Sequence, residues 1–189
     1  MGMRLNRRQA SWLLAASAVA GPSRSAGLAP SVAGASVNPS PEDTARWLPW
    51  PPQRALPALR LPDLQGRDWS PAQELGHPLL LNFWASWCEP CRAEMASFEQ
   101  LQQQFASRRL KVVAVNFKEG LEVVRRFGEA QRLSLALVRD SYGEATRAWG
   151  VHSFPTTFVI NPAGRAVLQI EGELDWASPA VQQRLQAVL

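Results

Sequence analysis

From Leu56 onward the chain alternates short apolar runs with segments whose apolar residues recur every three or four positions. Leu79 to Trp84 (LLLNFW) has the length and continuity of a buried strand. From Cys88 to Ala106, the positions of Met95, Phe98, Leu101 and Phe105 predict an amphipathic helix. Val112 to Val115 reads as a second buried strand. Gly120 to Ala130 reads as a helix with Val123, Val124 and Phe127 on its inner side. Leu135 to Val138 is a short strand candidate, and Tyr142 to Trp149 a helix. Thr156 to Ile160 is β-branched and aromatic, Asn161-Pro162-Ala163-Gly164 is a turn, and Ala166 to Ile170 completes a hairpin. Ser178 to Leu189 closes the chain as a helix that Pro179 can start in its first turn. Strand–helix–strand followed by a hairpin and a helix predicts an α/β domain with a central mixed β-sheet flanked by helices on both faces.

The beginning of the chain follows another pattern. Arg4, Arg7 and Arg8 precede an apolar stretch from Trp12 to Ala20 that ends in Ala18-Val19-Ala20. A charged head, a short apolar middle and a small-residue exit predict a signal peptide over residues 1–20, and hence export to the periplasm. Arg7-Arg8 hints at the twin-arginine route, although Asn6, Gln9 and Ala10 do not complete that pattern. The stretch falls short of the ~20 residues that cross a bilayer as a helix. An uncleaved membrane anchor or a tail remains the alternative. Residues 21–54, rich in Pro, Ala, Ser and Gly, read as a linker, which leaves 55–189 as the folded domain.

Composition narrows the function. The chain has 189 residues, 46% of them hydrophobic and 19% charged, enough for one domain with its own core and an extension. The net charge of +4 could suggest nucleic acid. Yet Arg4, Arg7, Arg8 and Arg24 lie in the leader region, and the other cations are scattered with no basic stripe among aromatics. Nucleic acid is therefore not expected as a partner.

The cysteines change the picture most. There are two, Cys88 and Cys91, at C-x-x-C spacing. One pair makes no disulfide framework. A closed zinc site needs four ligands, and the only histidines are His77 and His152. Neither metal nor cofactor is expected, and a redox pair is the natural reading. An inert clip is the alternative, although a loop this short adds little loop-closure stabilisation. The segment Asn82 to Cys91 runs from a buried strand into a helix start. Unpaired backbone N–H groups and the positive end of the helix dipole there favour a thiolate, so Cys88 reads as the nucleophile. Cys91 lies one turn further in, and Pro90 suits a position whose N–H would have no partner. Exchange through a mixed disulfide follows. Pro155, preceded by the bulky Phe154, stands at the entrance of the Thr156 strand.

Trp87-Cys88-Glu89-Pro90-Cys91 together with Phe154-Pro155-Thr156-Thr157-Phe158 resembles the thioredoxin superfamily. More narrowly, it is similar to the TlpA/ResA-like branch of exported thiol–disulfide oxidoreductases. The resemblance spans roughly Leu59 to Leu189 and includes Pro62-Asp63-Leu64-Gln65-Gly66. It implies a thioredoxin-like fold and a cis Pro155 facing the cysteine pair. It also implies a substrate surface of Trp87, Glu89, Pro90, Phe154 and Pro155, with Phe154 larger than the aliphatic residue that relatives often carry. Glu94 occupies a place where cytochrome-maturation relatives use an acid for proton transfer; a solvated first-turn glutamate is the plainer reading. Asn82 stands where thioredoxin has a buried aspartate, which an amide cannot replace as a proton relay. Trp84 and Trp87 are expected to form apolar surface around the site, and His152 an ordinary surface position.

The implied activity is protein-disulfide reduction by a monomer. Clients would be protein thiols and disulfides such as those of apocytochrome c or copper-site cysteines, and a membrane thiol-electron donor protein would recharge the pair. A disulfide-forming oxidase or isomerase, or a non-catalytic thioredoxin-fold binding module, are the alternatives.

Overall fold

The computed structural model describes residues 45–189. The expected signal peptide and most of the expected linker lie outside the described residues. The strands are β1 (Arg46–Pro49), β2 (Leu61–Pro62), β3 (Asp68–Trp69), β4 (Leu79–Trp84), β5 (Lys111–Phe117), β6 (Ala136–Asp140), β7 (Thr156–Ile160) and β8 (Ala166–Glu171). The α-helices are α1 (Glu89–Gln104), α2 (Leu121–Ala130), α3 (Glu144–Ala148) and α4 (Pro179–Gln186). Ser178 caps α4, its hydroxyl accepting the Val181 N–H, and Pro179 stands in the first turn.

Six strands form one mixed sheet in the order β1-β8-β7-β4-β5-β6, while β2 and β3 pair separately. At its centre β4 runs parallel to β5 and antiparallel to β7, so Asn82 faces Ala114 on one side and Thr157 on the other. Every residue of β4 is buried. Side-chain alternation explains why the run carries no polar face. Leu79, Leu81 and Phe83 enter a core with Trp50, Leu59, Trp69, Trp149 and Phe158. Leu80 and Trp84 enter the opposite core, built on Cys91, Met95, Phe98 and Leu101 of α1 and on Val181 and Leu185 of α4. Asn82 has the parity of Leu80 and Trp84, which turns its amide toward α1.

Three expectations require correction. The folded domain begins before residue 55: β1 pairs with β8 from Arg46↔Glu171 to Pro49↔Leu168, and Trp50 is buried edge-on against Phe158, with ring centroids 5.6 Å apart. The proline-rich composition hid an edge strand, a position that tolerates Pro49. In α2, Val124 is buried but Val123 is 47% exposed, because adjacent positions on a helix lie about 100° apart and cannot both face the sheet. Trp84 does not surface the site; it is buried and packs on Phe127, with centroids 4.7 Å apart. Among the described residues no helix is long and apolar enough to cross a membrane.

Candidate active site

The buried strand β4 delivers the chain to the turn Ala85-Ser86-Trp87, whose closure is marked by the Cys88 N–H donating to the Ala85 carbonyl at 3.1 Å. Glu119, from the loop after β5, holds this turn. Its carboxylate accepts the Ser86 N–H at 2.7 Å, the Ser86 hydroxyl, and the Asn116 Nδ2–H at 2.6 Å. Charge-assisted bonds of this kind are about twice as strong as neutral ones. The residue before the cysteines is thus fixed by an acid 33 positions away.

Cys88 is the N-cap of α1, with extended backbone angles, and its Sγ accepts the Cys91 N–H at 3.4 Å. The two cysteines are joined as a disulfide, with Cα atoms 5.3 Å apart. Cys88 is 7% exposed and Cys91 is fully buried, so an incoming sulfur reaches Cys88 first. When the bond opens, a thiolate at Cys88 meets the Cys91 N–H and the positive end of a sixteen-residue helix. Glu89 is exposed and pairs with Arg92 one turn on at 3.0 Å, a surface contact that contributes little stability. Pro90 lies in the first turn.

The sheet brings the second sequence motif to the same end. Thr156 pairs with Phe83 near the exit of β4. Just before it, the Phe154–Pro155 peptide bond is cis, and the Pro155 carbonyl accepts the Gly172 N–H at 3.0 Å. Phe154 meets Trp87 edge-on at 5.9 Å between centroids and Phe117 at 5.0 Å. Trp87 is 65% exposed, so this aromatic group fronts the cysteine turn as an open apolar surface. His152 is exposed.

Glu94, the acid expected behind the pair, lies in the core. The solvated reading fails, because Glu94 is only 2% exposed. It lies one turn beyond Cys91 on the same side of α1. Oε1 accepts the Asn82 Nδ2–H at 2.8 Å; Oε2 accepts the Trp176 Nε1–H at 3.2 Å and the Leu174 N–H at 3.4 Å. Burial pushes its carboxyl up to about 8, and Glu173 adds to the rise; the three hydrogen bonds offset part of it by favouring the anion. A carboxyl that titrates near neutrality, close to a dithiol, can take and return a proton during exchange. Trp176, Leu174 and Glu119 were absent from the sequence reading. Little local marks them: Asn116 is three positions from Glu119, but the Ser86 and Glu94 partners lie 33 to 82 positions away. Among the described residues no three His, Cys, Asp or Glu side chains converge as metal ligands.

Known proteins share this arrangement. The model of the AhpC/TSA family matches residues 52–168. Thioredoxin-like protein YneN of Bacillus subtilis (strain 168) is 38% identical over 111 residues, covering 57% of this chain and 64% of YneN. The thiol-disulfide oxidoreductase ResA of Geobacillus thermodenitrificans is 31% identical over 132 residues, covering 70% of this chain and 75% of ResA. A crystal structure from Chlorobium tepidum, described as a DsbE-type thiol:disulfide interchange protein, superposes with a TM-score of 0.65 at 30% identity, covering 70% of this chain and 93% of its own. The aligned region thus spans about two thirds to three quarters of these two curated relatives. With a mixed sheet, a cysteine pair at a helix start and a proline loop at the same sheet end, the chain has a thioredoxin-like fold and belongs to the AhpC/TSA family, among its ResA-like thiol–disulfide oxidoreductases.

Proposed function

We propose that this protein is exported to the periplasm and reduces disulfides of client proteins through Cys88 and Cys91. The observation that supports this best is the buried carboxyl of Glu94 one turn behind a cysteine pair of which only Cys88 is reachable. In the reduced protein the Cys88 thiolate attacks one sulfur of a client disulfide. A mixed disulfide forms, and the client's other sulfur leaves and takes a proton. Cys91 then gives its proton to Glu94 and attacks Cys88 Sγ. The Cys88–Cys91 bond closes as the bond to the client breaks, and Glu94 passes its proton to the departing client thiolate. The pair has given two electrons, and the client's two protons come from solvent at the first step and from Cys91 through Glu94 at the second. A membrane thiol donor reverses the cycle to recharge the pair.

Trp87, Glu89, Pro90, Phe154 and Pro155 form the client surface in this reading. Phe154, edge-on to Trp87, favours an apolar side chain beside the client cysteine. The cysteines of apocytochrome c or of a copper site are suitable clients by chemistry, being thiols that must stay reduced where disulfides persist. The protein acts as a monomer, with neither metal nor other cofactor.

Trapping tests the reading. Reduced Cys91→Ser protein mixed with a disulfide-bonded client should accumulate a mixed disulfide at Cys88, and Cys88→Ser protein should accumulate none. Equal trapping by both variants would contradict the assigned order of attack.

A further inference from the structure

Among the described residues, every group hydrogen-bonded to the Glu94 carboxyl is a donor. That cage suits the anion, yet the site must also hold the proton if the exchange cycle proposed above operates, and the present inference rests on that reading. Two of the three donors, the Leu174 N–H and the Trp176 indole N–H, have no lone pair with which to accept a proton. Both face Oε2, so the carboxyl proton belongs on Oε1, opposite Asn82. Of the three groups bonded to the carboxyl, only the Asn82 amide has an acceptor to offer. In the present orientation its Nδ2 makes two bonds, to Glu94 Oε1 at 2.8 Å and to Thr157 Oγ1 at 3.0 Å. Its Oδ1 is buried without any partner. A buried acceptor left unpaired is costly and calls for an explanation.

We propose that Asn82 is a positioning residue for proton transfer, reversing its amide when Glu94 gains or loses its proton. A half-turn of the amide exchanges two nearly isosteric groups. Oδ1 then accepts the Glu94 O–H and the Thr157 hydroxyl, whose hydrogen rotates to meet it. Oδ1, unpaired beside the anion, gains two partners beside the acid while Nδ2 takes over the unpaired place, so the orientation is set by whether Glu94 needs a donor or an acceptor. The hydrogen-bonded side chains that β4 and β7 bring here, Asn82 and Thr157, are both neutral. Glu173 is the charged neighbour, and the cysteine pair one turn back along α1 titrates only when reduced. Because Thr157 pairs with Asn82 and lies two residues beyond cis Pro155, the protonation state of Glu94 is also registered on the strand that carries the Phe154–Pro155 loop.

The test is nuclear Overhauser spectroscopy on the oxidised, isotope-labelled full chain across the titration of Glu94. Contacts from the Asn82 Nδ2 protons to the Glu94 γ-protons and the Thr157 β-proton should be present above about pH 8 and lost well below it. Glu94→Gln gives a second reading. Its amide oxygen must face the Trp176 and Leu174 donors, which turns its NH2 toward Asn82 and should hold the reversed orientation at every pH. Contacts that persist unchanged across the titration, or a Glu94→Gln protein that keeps the high-pH pattern, would overturn the proposal. Neither reading uses a client or thiol exchange, so a protein inactive in exchange would still answer it.

Discussion

The indole Nε1–H of Trp176 donates to Oε2 of Glu94 at 3.2 Å, joining a C-terminal loop to the first turns of α1 across 82 positions of sequence. The same indole stacks on Phe98, with centroids 4.6 Å apart. One side chain therefore fills core space and tunes the acid. Trp176→Phe separates the two roles, keeping an aromatic ring against Phe98 and deleting the donor. Loss of a hydrogen bond to a charged group costs roughly 1.5–3 kcal/mol of anion stabilisation, so the Glu94 midpoint should rise by on the order of one pH unit or more. Titration of the Glu94 carboxyl by carbon NMR checks this; a midpoint left at about 8 would exclude the indole as a determinant.

Stability should depend on pH through the same group. The carboxyl titrates at an ordinary 4.5 in the unfolded chain and at about 8 when folded. Between these values the folded state holds more protons, so its stability is fully present below about pH 4.5 and falls as pH rises to about 8. Glu94→Gln cannot lose a proton and should flatten this part of the curve. Urea unfolding of the oxidised protein and of the variant across that window reads the difference directly. Parallel curves would show that Glu94 is not held protonated.

Glu119 should matter for rate more than for fold. Its carboxylate takes three hydrogen bonds, two of them from Ser86. Glu119→Ala removes the anchor of the turn before Cys88 and leaves the Ser86 N–H to find another partner. The expected result is a several-fold slower exchange with a stability loss of about 1–3 kcal/mol. Stopped-flow thiol exchange beside denaturant unfolding would separate the two effects.

The domain boundary predicts a truncation effect. Trp50 is buried against Phe158, and its Nε1–H donates to the Arg54 carbonyl at 2.8 Å. Trp50→Ala should destabilise the domain by about 3–5 kcal/mol, the usual cost of emptying a buried aromatic site. A chain beginning at residue 55 should lose at least as much, because β8 then becomes an open edge. Matching denaturation midpoints for the full chain and the truncated chain would restore the linker reading of residues 45–54.

Much of this fold is legible in the sequence because its central elements are local and strongly periodic. LLLNFW is one strand, and the spacing of Met95, Phe98 and Leu101 follows one face of α1. Asn161 to Gly164 is a turn in which Gly164 adopts φ 75°, a left-handed conformation suited to glycine. The cysteine and proline motifs were visible for the same reason, each being a short string beside its own secondary structure. What stayed hidden is nonlocal. The strand at Arg46–Pro49 exists only because β8 offers it an edge, and Pro49 with the prolines that follow argues for a linker when read alone. The burial of Glu94 depends on Trp176 and Leu174 folding over α1, and a first-turn glutamate gives no sign of that. Trp84 and Trp87 look alike in sequence, yet strand parity buries the first and the turn exposes the second.

In the proposed cycle the cysteine pair donates electrons to clients. Equilibration of the Cys88–Cys91 couple against glutathione or dithiothreitol buffers measures its reduction potential. A reductant should show a value near the thioredoxin figure of about −270 mV or lower. A value approaching about −120 mV would contradict it and identify an oxidant that forms disulfides in its clients.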